Sequence, residues 1–444
     1  MAMQLPASPI RPLLTRMLRQ ALNASHAGNV LHRAIHNNSD VLIIGPRSYD
    51  LRDYERVVVV GAGKAAAAMA RAIEPLLGRR LDSGLVIVKY GHAVPTTRIT
   101  VEEAGHPVPD RAGQAATERL LALSSTLSAS DLLIVLLSGG ASSLMPAPVP
   151  GVTLADKQRV TRQLLLCGAS IGEINTVRKH LSRVKGGRLA ASTKATIVTL
   201  ILSDVLGDDL SAIASGPTAP DPTTYGEAVD CLKRYRLWSS APRSVRAHLE
   251  QGRRGLRAET PKPGAPLFRR IHHEIIGNNE VALTALLSTA GSAGLRTLLH
   301  PVFNGEARVA GAYVGSLAKS ILAKHEPVSK PCCLIAGGET TVTVKGRGRG
   351  GRAQEFAVAA AKAIAGLPDV WVAAIGTDGT DGPTDVAGAL VSGETWNRAR
   401  EIGVDLGGAL KRNDTYTALK RLRCHIITGP TGTNVNDLYL LFVL

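Results

Sequence analysis

The strongest constraint on this chain is a set of short, unbroken runs of branched aliphatic residues: VVVV at 57–60, GLVIVKY at 84–90, LLIVLL at 132–137 and IVTLIL at 197–202. A strand with one wet face alternates apolar and polar residues. These runs do not alternate, which is the character of strands covered on both faces by crossover helices. Helical stretches at 65–77 and 110–127 fall between them, giving the strand–helix–strand rhythm of a parallel sheet. The fold expected is therefore α/β, with a Rossmann-like N-terminal domain.

Beyond residue 237 the texture becomes basic and proline-rich, and PKPGAP at 261–266 reads as a linker. A second alternation is expected from His272: EIIG, a helix from Glu280, TLLHP, a helix over 306–325, CCLIAGGETTVTV, VWVAAIG at 370–376 and HIITGP at 425–430. The expected domains are thus 1–262 and a C-terminal α/β domain at 263–444. The N-terminal segment lacks acidic residues before Asp40, as transit peptides do. Leu13, Leu14, Met17, Leu18, Ala21 and Leu22 fall at helical spacing, however, so an amphipathic first helix of the folded domain accounts for it.

Composition narrows the function. The chain has 52 basic and 36 acidic residues, a net charge of +16, yet aromatics are only 3%. Nucleic-acid binders interleave aromatics for stacking, so a scattered basic surplus points instead to small anions. No apolar run approaches the ~18 residues of a membrane span. Five cysteines, with no C-x-x-C pair, read as reduced, buried thiols of a cytoplasmic protein.

In open α/β sheets ligands lie beyond the carboxyl ends of the strands. Those positions are glycine-rich in this chain. VVVVGAGKAAAA matches G-x-G-x-x-A at Gly61, Gly63 and Ala66, but the next strand ends KYGH, without the acid a nicotinamide ribose needs. Lys64 at that turn suits phosphoryl transfer, although the spacing is not that of a Walker loop. LLSGGASSL places Ser138, Gly139, Gly140, Ser142 and Ser143 after a strand, either as an anion nest or as a turn capping a helix. NTVRKHLSRVKGGRLA sets Arg178 and Lys185 seven residues apart on one helix face, either a basic face toward an anionic ligand or a solvated charged helix; taken alone, the solvated helix is the better fit.

Asp204 directly follows a strand, where a carboxylate can act as metal ligand or base. GTDGTDGPTD, with Asp378, Asp381 and Asp385, offers hard oxygens suited to nucleotide-borne Mg²⁺, or a structural turn. His272 and His273 read as structural. KGRGRGGRAQEF at 345–356 has the composition of an RNA-binding arginine–glycine tail. It stands between GGETTVTV and a good helix former, so an ordered loop is expected, with Arg352 as its specific residue and Arg347 and Arg349 as loop charges.

In order along the chain, VGAGKA, LSGGASSL, NTVRKHLSRVKGGRLA, LSDVLGDDLSAIASGPTAPDPTT, AGGETTVTVKGRGRGGRAQEF, GTDGTDGPTD and TGPTGTNVNDL resemble the glycerate 2-kinases with a C-terminal MOFRL domain (here 330–442), some of which are labelled hydroxypyruvate reductases. The resemblance implies ATP- and Mg²⁺-dependent phosphorylation of D-glycerate at its 2-hydroxyl, giving 2-phosphoglycerate, in a cleft between the two domains. It implies that Lys64 and Arg352 are the catalytic cations. Asp204 is expected as base or orienter of the hydroxyl, and Asp378 and Asp381 as holders of Mg²⁺. Substrate or nucleotide binding is expected of Gly61, Gly63, Ser138, Gly139, Gly140, Ser142, Ser143, Arg178, Lys185, Gly337, Glu339, Gly351, Thr377, Thr433 and Asn434.

One departure from the pattern is Ala353, where asparagine is commoner in the family. The expected partners are D-glycerate and ATP, with no nucleic acid and no membrane, and a homodimer is left open. The competing reading is an NAD(P)H-dependent hydroxypyruvate reductase.

Overall fold

The computed structural model describes residues 3–444, and the chain divides into two compact units. One is continuous, Val30–Ile276. The other joins the residues up to Asn29 to Gly277–Leu444.

α1 (Arg11–Ser25) belongs to the discontinuous unit, where it buries Leu14, Met17, Leu18, Ala21 and Leu22 and packs on a helix from the later part of the chain. The predicted apolar stripe is therefore real, although the helix serves the unit completed by residues 277–444. α2 (Ala27–Ala34) spans the division. The continuous unit then opens with an antiparallel meander, β1 (Ile35–Asn38), β2 (Val41–Ile44) and β3 (Arg47–Asp50).

Its main sheet has six strands. β4 (Val57–Ala62) runs into α3 (Ala66–Leu77), β5 (Leu81–Lys89) and β6 (Ile99–Ala104) follow, and α4 (Arg111–Ser125) leads to β7 (Leu132–Ser138). After the short α5 (Ala141–Leu144) come α6 (Leu154–Leu166), α7 (Ile171–His180) and α8 (Arg188–Ala191), then β8 (Thr196–Leu202). α9 (Tyr225–Arg234) and α10 (Arg243–Arg253) precede β9 (Ile271–Gly277).

The strand order is β6-β5-β4-β7-β8-β9, with parallel pairing from β6 through to β8. Every residue of β4 and β7 is buried, which is why neither run alternates. Each such side chain taken out of water contributes about 1.5–3 kcal/mol before the entropy of ordering is subtracted. α6, α7, α9 and α10 bury a second cluster around Tyr225, Val160, Leu164, Val177 and Leu249.

Two features differ from expectation. β9 completes the first sheet instead of starting the second alternation, so the division falls at 276/277 and not at 262/263. The 261–266 stretch is also no linker: Asp221 N donates to Pro261 O at 2.9 Å, and Thr260 Oγ1 donates to Asp221 Oδ2 at 2.9 Å. Proline content marks a turn there, and the buried Asp221 ties it down.

The discontinuous unit continues with α11 (Asn279–Gly291), β10 (Arg296–Leu299), β11 (Phe303–Glu306), α12 (Ala307–Lys324) and β12 (Cys332–Thr341). α13 (Arg352–Ala363), β13 (Val370–Gly376) and β14 (Gly388–Ser392) follow, then α14 (Thr395–Glu401), α15 (Leu406–Arg412), α16 (Thr415–Arg421), β15 (His425–Ile426) and β16 (Asp437–Val443). The sheet order is β10-β12-β16-β13-β14-β15, with β11 also paired to β12. β10 and β11 lie parallel to β12, whereas β16 is antiparallel to both of its neighbours. α1 packs on α11. Four cysteines are buried, but Cys167 is exposed, contrary to the reading of all five as buried.

Candidate functional site

Each unit gathers its functional candidates at one edge of its sheet. In the continuous unit β4, β7 and β8 are parallel neighbours, so their carboxyl ends bring the 61–66 turn, the 138–143 loop and Ser203–Asp204 to the same edge. Ser138 is in register with Leu202, which puts Asp204 just beyond it, half-buried.

The turn and the loop are bonded together. Lys64 N donates to Gly139 O at 2.9 Å, and Ala65 N to Ser138 Oγ at 3.0 Å. Gly63 has φ +136°, and a Cβ there would sit 2.1 Å from Ser138 Oγ. Its glycine is therefore explained by the serine loop pressed against it. Gly61 lies inside β4, not in the turn. Gly140, with φ +87°, opens α5; a Cβ on it would lie 3.0 Å from His106 Cδ2 and 3.5 Å from Lys64 Cγ, so the Lys64 side chain runs beside the glycine pair. Ser143 Oγ donates back to Gly140 O at 3.1 Å, the local bond of a helix-opening turn.

Arg178 and Lys185 do not share a helix face, since α7 ends at His180 and the chain folds back through the left-handed Gly186 and Gly187. They are not solvated either. Lys185 is 1% exposed, and its Nζ donates to Ser142 O at 2.6 Å and Ser142 Oγ at 3.0 Å. Ser142 Oγ is 2.8 Å from Ser215 Oγ, which donates to Asn175 Oδ1 at 3.0 Å. Burial, with Lys157 and Arg178 nearby, pushes the Lys185 ammonium well below the ordinary lysine range. Burial also lowers Arg178.

In the discontinuous unit Asp437 lies at the start of β16, in register with Gly338 on one side and Gly376 on the other. Arg352, the first residue of α13, donates to it twice, Nε at 2.7 Å and Nη2 at 3.0 Å, and to Glu339 through Nη1. Asn436 Nδ2 holds the other Glu339 oxygen at 3.1 Å. Although burial disfavours its charge, Asp437 and Glu339 hold Arg352 above its ordinary range. Burial pushes the Asp437 carboxyl up to about 7, and Arg352 pulls against it. A forked guanidinium bound at both ends has little freedom left to lose on meeting an anion.

Asp381 has a different task from the metal ligation expected of it. It is 3% exposed, Oδ1 accepts from Ala353 N at 3.0 Å, and Oδ2 accepts from Gln354 N and Gln354 Nε2, both at 2.9 Å. Both oxygens are thus spent on the first turn of α13, where a carboxylate satisfies orphan amides and opposes the helix dipole. Gly351 precedes that turn, and a Cβ on it would meet Asp381 Oδ1 at 2.2 Å. Ala353 is fully buried in the core beside Phe356, so its side chain makes no polar contact.

The remaining candidates brace the 431–437 loop. Thr377 N and Oγ1 donate to Asn436 O at 3.1 and 2.6 Å, Val435 N donates to Thr377 Oγ1 at 2.9 Å, and Thr431 Oγ1 donates to Thr377 O. Thr433 Oγ1 donates to Ser25 O at the end of α1, and Asn434 is buried beside it. Gly337 leaves room for Asn279, whose Nδ2 donates to Val435 O at 2.6 Å.

The 345–350 segment is ordered by the 412–416 turn. Asn413 Oδ1 accepts from Lys345 N and Gly346 N at 2.8 and 2.9 Å, Gly348 N donates to Arg412 O, and Arg349 stacks on Tyr416 at 4.7 Å. Its glycines are set by this close approach, not by an anion nest.

Among the described residues, no group of three His, Cys, Asp or Glu side chains is arranged to hold a metal ion. A Cβ on Gly376 would lie 3.5 Å from Asp378 Oδ1 and 3.6 Å from Asp437 Oδ1, so two carboxylates approach one point at the sheet edge. Both Asp437 oxygens are taken up by Arg352 and the Tyr439 hydroxyl, which leaves Asp378 as the carboxylate at this point that could meet an ion carried in on a nucleotide, since Mg²⁺ usually takes one or two carboxylates plus phosphate oxygens and water.

Sequence reasoning left out Asp437 and Lys157. Asp437 carries the same signal that singled out Asp204, a carboxylate abutting an apolar run; Lys157 is described below.

Residues 13–250 match the family model described as a domain of unknown function (DUF4147), and residues 332–437 match the MOFRL family model. The chain is 40% identical to a glycerate 2-kinase from Pyrococcus horikoshii over 98% of both chains. It is 45% identical to a D-glycerate 2-kinase from Thermotoga maritima over 87% of this chain and 90% of the relative. The crystal structure of a glycerate kinase from Thermotoga maritima matches with a TM-score of 0.82 at 40% identity, covering 98% of this chain and 99% of that one. These matches define the class, an α/β protein joining a DUF4147 region to a MOFRL region. Within that class, the chain belongs to the glycerate 2-kinase family.

Proposed function

We propose that this protein transfers the γ-phosphoryl group of ATP to the 2-hydroxyl of D-glycerate, giving 2-phosphoglycerate and ADP. The observation that carries this reading is the Arg352 guanidinium, pinned by Asp437 and Glu339 at a strand end where Asp378 also approaches.

In phosphoryl transfer the new O–P bond forms as the bond to the β-phosphate oxygen breaks, and negative charge spreads over the three equatorial oxygens. Pre-oriented cations lower that barrier because they need no reorganisation at the moment of reaction. Arg352 and Lys64 are the cations we assign to this task. Asp204 receives or orients the proton leaving the 2-hydroxyl. Asp378 would hold, directly or through water, the Mg²⁺ that accompanies ATP, which when bound would neutralise charge on the phosphates, while Asp437 keeps Arg352 in place. Asp381 contributes by seating α13, and so Arg352.

The reductase reading has weaker support. β5 ends at Lys89 and is followed by Tyr90, Gly91 and His92, with no acid for a nicotinamide ribose. Among the described residues no helix is long and apolar enough to cross a membrane.

The test is incubation of the pure protein with D-glycerate, ATP and Mg²⁺, with products identified by phosphorus NMR, beside a parallel incubation with hydroxypyruvate and NAD(P)H. ADP and 2-phosphoglycerate are expected. Oxidation of NAD(P)H without ADP release would overturn the assignment.

A further inference from the structure

α6 starts with a capping box between Thr153 and Asp156, and the next residue is Lys157. Lys157 is 6% exposed, and its Nζ has no hydrogen-bond partner among the described residues. A buried ammonium left in this state is costly, and folds that need one for structure supply a counter-charge. The same unit does so nearby: Lys179, also buried on α7, has Asp221 at 3.3 Å. Lys157 has no such carboxylate, and neither Arg178 nor Lys185 forms an ion pair among the described residues; burial lowers both lysines, with the Arg178 charge adding to it on each and Lys157 adding to it on Lys185. Lys185 in turn is bonded to Ser142, in the loop that closes on the Lys64 turn.

We propose that Lys157, Arg178 and Lys185 form the pocket that takes the carboxylate of the hydroxy-acid acceptor, with Lys157 as the residue that selects an acid over a neutral polyol. This rests on the kinase reading above. Two buried lysines beside a half-buried arginine are poorly placed for folding and well placed for a small monoanion, which repays their desolvation when it enters. Lys157 touches the substrate in this assignment, whereas Ser142, Ser215 and Asn175 position Lys185. The pocket also accounts for two elements that the phosphoryl-transfer residues leave without a task, the α6 start and the α7 end.

The experiment uses the full chain and Lys157→Met, which keeps length and removes charge. D-glycerate binding is measured by calorimetry without nucleotide, and KM for D-glycerate and for ATP by ADP release. Lys157→Met is expected to weaken D-glycerate binding and raise its KM by about tenfold or more. KM for ATP should stay within about twofold, the apo melting temperature should not fall, and Lys157→Arg should recover most of the affinity.

D-glycerate affinity unchanged in folded Lys157→Met would overturn the pocket. So would a KM increase confined to ATP, which would give the site to a nucleotide phosphate. If Lys157→Met does not fold, Lys157→Gln is read by the same calorimetry. Failure of the kinase reading is seen separately, as wild-type protein that binds D-glycerate, and not glycerol, yet releases no ADP. Wild-type protein that does not bind D-glycerate refutes the pocket itself.

Discussion

Asp381→Asn separates a helix-seating carboxylate from a metal ligand. In the wild type, three N–H groups converge on Asp381: two backbone amides and the Gln354 side chain. An asparagine can accept through one oxygen only. If that oxygen serves Ala353, the new amide nitrogen faces the two groups from Gln354, donor against donor. A buried donor left unsatisfied costs about 1–3 kcal/mol, and the lost charge at a helix start a further 0.3–1 kcal/mol or so. Against this stands relief of a carboxylate whose pKa burial has raised, opposed by the Gln354 and Ala353 amides. The net destabilisation is about 1–3 kcal/mol. For a unit of this size each kcal/mol moves the melting temperature by roughly 2–4 °C, so a fall of roughly 3–12 °C is expected by circular dichroism. Turnover should fall as well, because Arg352 rides on the same first turn, while the Mg²⁺ concentration for half-maximal rate should hardly change. A melting temperature within about 2 °C of wild type, together with a many-fold higher Mg²⁺ requirement, would refute this reasoning and restore Asp381 as a metal ligand.

Arg352→Lys keeps a positive charge but loses the two-pronged grip on Asp437; turnover should drop by about 10²–10³-fold with the fold intact, while Arg347→Ala leaves it nearly unchanged. Similar losses in the two variants would remove Arg352 from its assigned role. In the continuous unit, burial opposes ionisation of Glu259, but bonds from His180, the Tyr225 amide and Lys262 outweigh it and hold the carboxyl at about 2, below the ordinary 4.5. A depressed folded-state pKa contributes stability that is complete above the unfolded value and is lost as pH falls from there towards 2. Between about pH 5 and pH 3, Glu259→Gln should therefore lose less melting temperature than wild type; equal slopes would refute the linkage.

The parallel sheet was legible because fully buried strands leave an unmistakable sequence: VVVV and LLIVLL are apolar throughout, and the structure buries them on both faces. The glycine-rich strand ends were legible as places, less so as causes. Gly63 and Gly351 look like anion loops in sequence, yet each is dictated by a polar side chain pressed against its Cα, Ser138 Oγ in one case and Asp381 Oδ1 in the other. No local pattern could show this, since the partners are 75 and 30 positions away. Arg178 and Lys185 were misread for a related reason. Seven-residue spacing implies a shared face only if the helix continues, and α7 stops at His180. Lys157 is silent in sequence, since a first-turn lysine after a capping box is ordinary on any solvated helix. Only burial without a partner distinguishes it.

The discontinuous unit also sets an order of assembly at the ribosome. α1 is made first, but it packs on α11, and β12 and β13 of the same unit each pair with β16, at 437–443. The continuous unit has all its strands once β9 has emerged, so it can fold while synthesis goes on. Until then the buried face of α1 has nothing to pack against. The apolar face of α1 therefore waits for the whole continuous unit to be made before the helix it packs on exists.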